Sequence, residues 1–376
     1  MKIALFHPWI KSRGGAEKVI LELVKNSSFN IDIYTWYYDK KETYSEFENF
    51  RIISIAPRIF RRFSRSFLLR GFFSLLLALV TKIPLNKYDA FVISTSGLAE
   101  LITLRNYKAG KTFAYVHTIL RAASDEITWN LKYRIHNPLH QFFYLASVFF
   151  YKFLEKIAWK KLDTVIFNSS LTYQRAKKIG LLKNKKAYII HPPVNLIRAK
   201  ISSKGDYFLY LARFTPMKRQ DILLSAWKQF VTENPKFKLV LAGSIEDKKY
   251  FEKILSSARK TKNVIIKTKV KNPTKLYSKA YAVIFIPYKE DFGLVPIEAA
   301  LLNKLLILTD TGGFMDIIKN YPNKILISEK RLNKHTIFKA LQKSVTFNEK
   351  KVDKKIFKKL ASKEFVKEME KIFYEN

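Results

Sequence analysis

The sequence contains no cysteine among its 376 residues. This absence excludes disulfide bridges and thiolate chemistry, and it fits a reducing compartment. Histidine is also scarce, with six residues in all. His136 and His140 lie four positions apart, but no carboxylate completes an HExxH zinc motif. The apolar part of the first ten residues is too short and too interrupted for a signal peptide. We therefore expect neither a disulfide-stabilised domain nor a resident metal.

Acidic residues are few relative to basic ones. The chain has 31 Asp and Glu against 69 Lys and Arg, so its formal net charge is +38. A field of this sign attracts polyanions such as anionic lipid surfaces, nucleic acid or phosphorylated substrates. The alternative is a lysine-rich proteome, such as that of a thermophile, in which surface lysine is common. Composition alone leaves both interpretations open.

Strand and helix patterns alternate along almost the whole chain, which predicts parallel sheets flanked by helices. Hydrophobic residues make up 48% of the sequence, enough for two cores in a chain of this length. The PPVN segment and the polar stretch after it predict a linker at residues 192–205. We predict two Rossmann-like α/β domains facing each other across a cleft, at residues 1–195 and 206–353. A single basic amphipathic helix over residues 354–374, in a tail of residues 354–376, follows them, and we expect it to pack back on the N-terminal domain.

The predicted strands are short apolar runs that end at polar or turn-forming residues. In the first domain they cover residues 2–8, 31–36, 90–94, 112–116, 164–168 and 187–191. In the second they cover residues 207–212, 238–242, 264–268, 281–286, 305–309 and 324–327. Ser169 is a candidate N-cap for a helix over residues 171–179.

Residues 290–298 (EDFGLVPIE) carry two carboxylates eight positions apart, Glu290 and Glu298. The pattern places Glu290 on a loop at the carboxyl end of a strand and Glu298 in the first turn of the next helix. Open α/β sheets bind ligands at this edge. Gly293 lets the backbone approach a ligand closely, and a helix N-terminus offers N–H groups to an anion. Such a site suits a nucleotide sugar. The alternative is a helix-capping glutamate and an unrelated loop acid.

Loops after two other predicted strands also carry candidate residues. Arg213 and Lys218 lie five positions apart after strand 207–212, where two cations suit a diphosphate. Gly14 and Gly15 follow the first strand and open a helix, which suits a phosphate at the helix N-terminus. A tight turn explains the two glycines equally well, because the GxGxxG fingerprint is absent. His117 ends strand 112–116, at the carboxyl edge of the first domain's sheet.

Residues 58–82 form a basic stretch rich in phenylalanine and leucine, without an acidic residue. The uninterrupted apolar run after Arg70 is about ten residues, well short of the roughly 20 needed to span a bilayer. A basic amphipathic helix of this kind suits the membrane interface, with Arg61, Arg62, Arg65 and Arg70 as contacts to anionic lipid. The alternative is that its aromatic side chains pack in the core.

A second basic stretch covers residues 141–161 and contains four lysines. For this stretch we favour core packing or a mixed environment. Its aromatic residues are Phe142, Phe143, Phe149, Phe150, Phe153 and Trp159.

Taken as an ordered set, these motifs resemble the retaining, GT-B type glycosyltransferases of family 4, and most closely the mannosyltransferase-like members. The resemblance covers about residues 1–345. The matching positions are the GGAE loop (14–17), the HxPxRxxWD stretch (His117, Arg121, Asp125), Asn168 and Ser169, the PPVD stretch (192–195), the GR…K motif (Arg213, Lys218), Glu290, Glu298 and the GGxxE stretch (Gly312, Gly313, Asp316). The departures from the family pattern are Ile119 for proline, Ser124 for tryptophan, Asn195 for aspartate, Asp316 for glutamate and Ala212 for glycine.

The resemblance implies transfer of a hexosyl group with retention, from a nucleoside-diphosphate sugar and without a metal or other cofactor. Arg213 and Lys218 would stabilise the departing diphosphate, Glu290 would hold sugar hydroxyls and Glu298 the ribose. Gly15 and the backbone at Phe292, Gly293 and Leu294 would assist donor binding. His117 would be a catalytic residue, with Arg121 and Asp125 on the acceptor side.

The favoured donor is GDP-mannose, and the expected acceptor is a glycan or a polyprenyl-linked glycan. The expected location is cytoplasmic, on the inner face of an anionic membrane, and no nucleic acid partner is expected. Two other classes remain open. One is an inactive membrane- or polyanion-binding protein on the same scaffold. The other is a nucleotide-sugar epimerase or a phosphorylase with the same two-domain fold.

Overall fold

A computed structural model describes residues 1–56, 67–194, 205–270 and 272–375. The chain divides into two compact units. The N-terminal unit comprises Met1–Pro193 together with Ser362–Asn376, and the C-terminal unit comprises Val194–Ala361. Each unit contains a parallel β-sheet with helices, so the predicted fold class of two Rossmann-like α/β halves is confirmed.

The strands of the N-terminal unit form a seven-stranded sheet in the order β5-β3-β1-β6-β7-β8-β9, beside a two-stranded pair of β2 and β4. Those of the C-terminal unit form a six-stranded sheet in the order β12-β11-β10-β13-β14-β15. The bounds are β1 (Lys2–Phe6), β2 (Trp9–Ile10), β3 (Asn30–Thr35), β4 (Tyr37–Tyr38), β5 (Ile52–Ser54), β6 (Ala90–Thr95), β7 (Thr112–Val116), β8 (Thr164–Phe167), β9 (Lys186–Ile189), β10 (Tyr207–Leu211), β11 (Lys238–Ala242), β12 (Val264–Lys267), β13 (Ala282–Phe285), β14 (Leu305–Thr309) and β15 (Lys324–Ile327).

The helices connect the parallel strands. Their bounds are α1 (Gly15–Asn26), α2 (Phe67–Val80), α3 (Ile127–Tyr133), α4 (Pro138–Lys160), α5 (Ser170–Lys178), α6 (Gln220–Glu233), α7 (Lys248–Arg259), α8 (Pro273–Lys279), α9 (Leu294–Leu301), α10 (Met315–Ile318), α11 (Lys334–Val345) and α12 (Ser362–Glu375). Short 3₁₀ helices cover Ser45–Asn49, Leu85–Lys87, Ala99–Leu104, Arg121–Ala123, Pro216–Lys218, Glu329–Arg331 and Lys354–Leu360.

Burial explains why the strands read as apolar runs. Every residue of β6, β7 and β14 is buried, as expected for central parallel strands covered on both faces. The predicted cap of α5 is confirmed, since the Ser169 side chain accepts a hydrogen bond from the backbone N–H of Thr172. The loops at the carboxyl edges of both sheets are therefore anchored by buried central strands.

The strand order reverses once in each sheet. In the N-terminal unit the reversal lies between β1 and β6, and in the C-terminal unit it lies between β10 and β13. Crevices outside the carboxyl ends of such strand pairs are the usual ligand sites of open α/β sheets. A ligand site is therefore expected at the loops after these four strands.

The C-terminal segment differs from the single helix predicted over residues 354–374. Lys354–Leu360 is a 3₁₀ helix in the C-terminal unit, where Phe357 and Leu360 enter a core cluster. The backbone N–H of Val194 donates to the carbonyl oxygen of Leu360 at 2.8 Å. α12 then packs on the N-terminal unit, as predicted, and contacts α1. The continuous amphipathic pattern conceals that its two halves join different cores.

The two basic aromatic stretches have different outcomes. In the first, Arg61, Arg62 and Arg65 lie outside the described residues; Arg70 lies in α2, and its side chain is likewise not described. Its membrane contact therefore stays a prediction. The second stretch falls in α4 and is mixed: Trp159 is buried, whereas the five phenylalanines are exposed. Across the described parts of the chain, no helix combines the length and apolar character needed to cross a bilayer.

Candidate functional site

The C-terminal unit brings two predicted site residues into direct contact at its strand-order reversal. Lys218 lies at the end of the 3₁₀ helix that follows β10, and Glu290 lies on the loop after β13. The Lys218 Nζ atom is 2.5 Å from the Glu290 Oε2 atom. Lys218 is buried, and the Tyr210 hydroxyl donates to its backbone carbonyl. The structure therefore holds a cation and a carboxylate together at the edge where a ligand is expected.

Arg213 lies on the same loop but has a different environment. Its Nη1 atom is 2.7 Å from the Glu246 Oε2 atom, and the two side chains are 61% and 46% exposed. Gln220 Nε2 donates to the Arg213 carbonyl oxygen at 2.9 Å, which holds the backbone of the loop. The pairing with Glu246 was not predicted. Because an exposed ion pair is weak, a phosphate can take over this guanidinium at little cost.

Gly293 fixes the geometry of the loop between Glu290 and α9. Its φ is +83°, and a Cβ atom at this position would lie 2.9 Å from Phe314 Cδ1. Only glycine therefore fits here without strain. The backbone N–H of Gly313 donates to the Glu290 carbonyl oxygen at 2.9 Å, which ties the loop to the segment after β14.

α9 begins at Leu294, directly after Gly293. N–H groups in the first turn of a helix have no acceptor within the helix and favour anions. The structure thus places the predicted backbone contacts at Phe292, Gly293 and Leu294 at the start of a helix. They suit a phosphate or a hydroxyl oxygen of a ligand bound beside Glu290.

Glu298 lies one turn deeper in α9 than predicted. The helix starts at Leu294 rather than near residue 297, because Gly293 already supplies the left-handed N-cap. The Tyr277 hydroxyl donates to Glu298 Oε2 at 2.9 Å. Burial, with the neighbouring carboxylate, raises the pKa of Tyr277 well above its usual value, so this hydroxyl stays a donor. Tyr277 therefore orients the carboxylate.

A second ion pair supports this edge and was missed in the sequence. Arg219 donates to both carboxylate oxygens of Glu329, at 2.9 and 2.6 Å. The Arg219 guanidinium also lies 5.1 Å from the ring centroid of Tyr288. This ion pair joins the loops after β10 and β15. Because Arg219 follows Lys218 directly in the chain, the pair also fixes the backbone beside Lys218. The two partners are 110 positions apart, so no local pattern reveals them.

In the N-terminal unit, His117 belongs to a buried network at the strand-order reversal. Its Nε2 atom is 2.8 Å from the Ser94 Oγ atom, and the same Oγ atom is 3.1 Å from His7 Nδ1. Burial lowers the pKa of His117 to about 3, helped by repulsion from His7. Burial likewise lowers the pKa of His7 to about 4. Both imidazoles are therefore neutral near pH 7, and their contribution to a site is hydrogen bonding rather than charge.

Arg121 and Asp125 are also brought together. Arg121 Nε is 3.5 Å from Asp125 Oδ1 and 3.0 Å from Glu126 Oε1. Arg175 on α5, which the sequence analysis did not identify, reaches Asp125 Oδ2 at 3.1 Å. All four side chains are less than a fifth exposed. The two positive and two negative charges balance, so the cluster is polar but carries no net charge.

Gly15 is the first residue of α1, and Gly14 is its N-cap. A Cβ atom on Gly14 would lie 2.3 Å from Glu17 Oε2. The Glu17 carboxylate accepts from the Ser12 hydroxyl at 2.7 Å. Gly14 is therefore required by a close local contact with Glu17. Within the described ranges, no three histidine, aspartate or glutamate side chains are grouped so as to hold a metal ion.

The chain is similar to known glycosyltransferases in sequence and in fold. Residues 195–356 match the family described as glycosyl transferases group 1. The chain is 22% identical over 378 residues to the alpha-1,3/1,6-mannosyltransferase ALG2 of Kluyveromyces lactis, covering 85% of this chain and 71% of that protein.

Among solved structures, Anabaena Alr3699/HepE in complex with UDP and glucose is similar, with a TM-score of 0.69 at 15% identity and full coverage of both chains. A glycosyltransferase from Rickettsia africae has a TM-score of 0.66 at 14% identity, covering 100% of this chain and 98% of that one. The chain therefore has the two-domain fold of the GT-B glycosyltransferases, and its residues 195–356 resemble the glycosyl transferases group 1 family.

Proposed function

We propose that the protein transfers a mannosyl group from a nucleoside-diphosphate sugar, with retention of configuration, to a glycan or lipid-linked acceptor. The observation that carries the proposal is the Lys218–Glu290 contact at the carboxyl edge of β10 and β13, beside the start of α9. A departing diphosphate is stabilised by positive charge. The hydroxyl groups of the sugar need a hydrogen-bond acceptor nearby. This edge supplies both within one contact.

In the proposed reaction, the bond between the sugar C1 and the diphosphate oxygen breaks as the bond from the acceptor oxygen to C1 forms. Both occur on the same face of the sugar. The acceptor proton moves to the departing phosphate oxygen, so no protein base is required. Lys218 and Arg213 stabilise the charge that develops on the diphosphate. Glu290 accepts hydrogen bonds from sugar hydroxyls.

The remaining site residues have positioning roles in this proposal. Glu298, oriented by Tyr277, accepts from the ribose hydroxyls. The N–H groups at the start of α9 add to the phosphate contacts. His117, Arg121 and Asp125 contact the acceptor. Two cations take the charge-neutralising role that a divalent metal has in other transferases, so we propose a metal-independent reaction.

GDP-mannose is the donor we propose, on the basis of a relative that is named a mannosyltransferase. A structural neighbour was solved with UDP and glucose, so uridine donors are the main competing choice. We place the reaction at the cytoplasmic face of an anionic membrane, because the chain carries a net charge of +38 and such a field attracts anionic lipid.

The test is a panel of nucleotide sugars scored by thermal stabilisation and by donor hydrolysis. A ligand at 100 times its Kd raises the free energy of unfolding by about 2.7 kcal/mol, so the correct donor should stand apart from the others. The anomeric configuration of the product, read by NMR, tests retention. Activity that persists in EDTA supports metal independence, and loss that added metal restores contradicts it. A panel without stabilisation or hydrolysis by any nucleotide sugar overturns the proposal.

A further inference from the structure

The outer face of α4 exposes an unusual amount of aromatic surface. The five phenylalanines on this face are between 53% and 78% exposed, and Leu139 is 61% exposed. They recur at seven-residue spacing, as in the pairs 142/149 and 143/150, so they share one side of the helix. We call this set the α4 aromatic face; its members are Leu139, Phe142, Phe143, Phe149, Phe150 and Phe153.

The inner face of the same helix is already fully engaged. Tyr151, Glu155 and Trp159 are buried. The Tyr151 hydroxyl lies 2.7 Å from Glu100 Oε1 and 2.9 Å from Glu155 Oε1. The Thr103 hydroxyl donates to the Ala158 carbonyl oxygen at 2.9 Å. These contacts fix the rotation of α4 about its axis, so the aromatic face cannot turn inward without breaking them.

Charge around this helix has one sign. Residues 127–162 contain six lysines and arginines and a single acid, Glu155, which is buried. Lys156 and Lys160 are exposed. Lys156 follows Phe149 by seven residues and Lys160 follows Phe153 by seven, so the two lysines continue the line of the aromatic face along the helix. The surface therefore combines apolar rings with exposed lysine side chains.

The end of α2 also exposes apolar side chains. Leu76, Leu79 and Val80 at the end of α2 are between 40% and 67% exposed. Both α2 and α4 pack against the 3₁₀ helix Ala99–Leu104. Large exposed apolar patches on soluble proteins usually mark a binding surface, and the six residues of the α4 aromatic face share one side of a single helix.

We infer that the α4 aromatic face docks the protein on an anionic lipid bilayer. The phenylalanine rings enter the boundary between headgroups and acyl chains, while Lys156 and Lys160 contact lipid phosphates. A helix whose outer face carries apolar rings flanked by lysines suits the plane of the interface, while its inner face holds it on the core of the N-terminal unit. This inference deepens the proposed membrane-surface function, yet vesicle binding requires no sugar transfer, so either proposal can fail without the other.

The test is co-sedimentation of the full chain with vesicles of phosphatidylcholine, with and without phosphatidylglycerol. Binding should require the anionic lipid and weaken with salt. The double variant F149S/F153S should lower the partition coefficient by roughly tenfold or more, because two rings no longer enter the interface. Its thermal unfolding should match wild type, since both positions are exposed. The matched control I245S/L326S removes two exposed apolar side chains from the C-terminal unit and should bind normally.

The charge component has its own matched pair. K156Q/K160Q should weaken binding to anionic vesicles by roughly fivefold per lysine. K248Q/K249Q changes two exposed lysines of α7 and should have little effect. Equal losses from both lysine pairs would mean that net charge alone drives binding, and this would overturn the role of α4.

A direct reading of depth completes the test. In F149W, the new indole should be quenched by lipids brominated on their acyl chains, whereas an indole at position 374 in Y374W should not. Tyr374 is a fair comparison because it is 64% exposed on α12. The competing occupant is a second copy of the chain. A wild-type dimer in light scattering that F149S/F153S converts to a monomer, together with absent vesicle binding, would overturn the inference.

Discussion

Replacing Lys218 with glutamine separates the structural from the catalytic contribution of the Lys218–Glu290 contact. The change keeps most of the side-chain volume and removes the charge. Because Glu290 is about a quarter exposed, its carboxylate loses a close partner but stays in contact with water. We expect the free energy of unfolding to fall by roughly 1–3 kcal/mol, between the values for exposed and fully buried ion pairs.

Turnover should fall much further than stability. Loss of one group that stabilises charge in a transition state typically costs about 10²–10³ in rate. The assay is transfer or hydrolysis with the donor identified by the nucleotide-sugar panel, measured at saturating donor beside urea unfolding of the same preparation. The control is K238Q. Lys238 pairs with Asp206 in the same unit, but both side chains are about half exposed, so stability and turnover should change little.

The double variant K218Q/E290Q makes the reasoning refutable. If Glu290 is destabilised in K218Q because its charge lost a partner, removing that charge should restore part of the stability. Turnover should stay low, because neither group remains to act on the donor. A K218Q enzyme with wild-type turnover would refute the proposed role of the lysine. A double variant that regains turnover would show that the pair is structural.

Three further predictions concern other parts of the chain. R213A should reduce turnover by about tenfold or more while changing the unfolding free energy by less than about 1 kcal/mol, because the ion pair is exposed; equal turnover would contradict a role at the diphosphate. G293A should cost roughly 1–3 kcal/mol in urea unfolding, since alanine is strained at a φ of +83° and its Cβ would meet the Phe314 ring; an unchanged midpoint would contradict the strain. Burial, reinforced by Glu100, raises the pKa of Glu155 to about 8, so the folded state holds a proton that the unfolded state releases, and stability should fall as pH rises from about 4.5 to about 8. E155Q should flatten this dependence in thermal unfolding, and an unchanged pH profile would refute it.

Much of the fold could be predicted because central parallel strands are buried on both faces. β7 was predicted with its observed bounds, and β10 differs only by one residue, since apolar runs bounded by polar residues mark such strands. β5, with three residues, is too short to produce a pattern. The prediction of a single helix at the end of the chain was wrong. Periodicity shows that one face of a segment is apolar, but it does not show which core that face packs against. The same limit applies to α4, whose aromatic residues show helical spacing whether they face a core or solvent.

The candidate site was predictable where it depends on strand ends and not where it depends on distant partners. The carboxyl edge that carries Lys218 and Glu290 follows from the strand pattern, but their direct contact joins residues 72 positions apart. The partners Glu246 and Arg175 are ordinary charged residues in sequence. Tyr277 likewise carries no local signal of its bond to Glu298. These contacts depend on long-range packing, which local patterns in a single sequence do not show.

The placement of α12 has a consequence for biosynthesis. Phe365, Val366, Met369, Ile372 and Phe373 enter the core of the N-terminal unit, yet they are translated after the whole C-terminal unit. A ribosome that has joined residue 361 has therefore synthesised every residue of the second unit, while the first still lacks part of its interior. Domains commonly complete in the order of synthesis. Here the N-terminal unit cannot complete before the C-terminal unit has been synthesised, and until α12 arrives the nascent N-terminal unit leaves apolar surface open to chaperones.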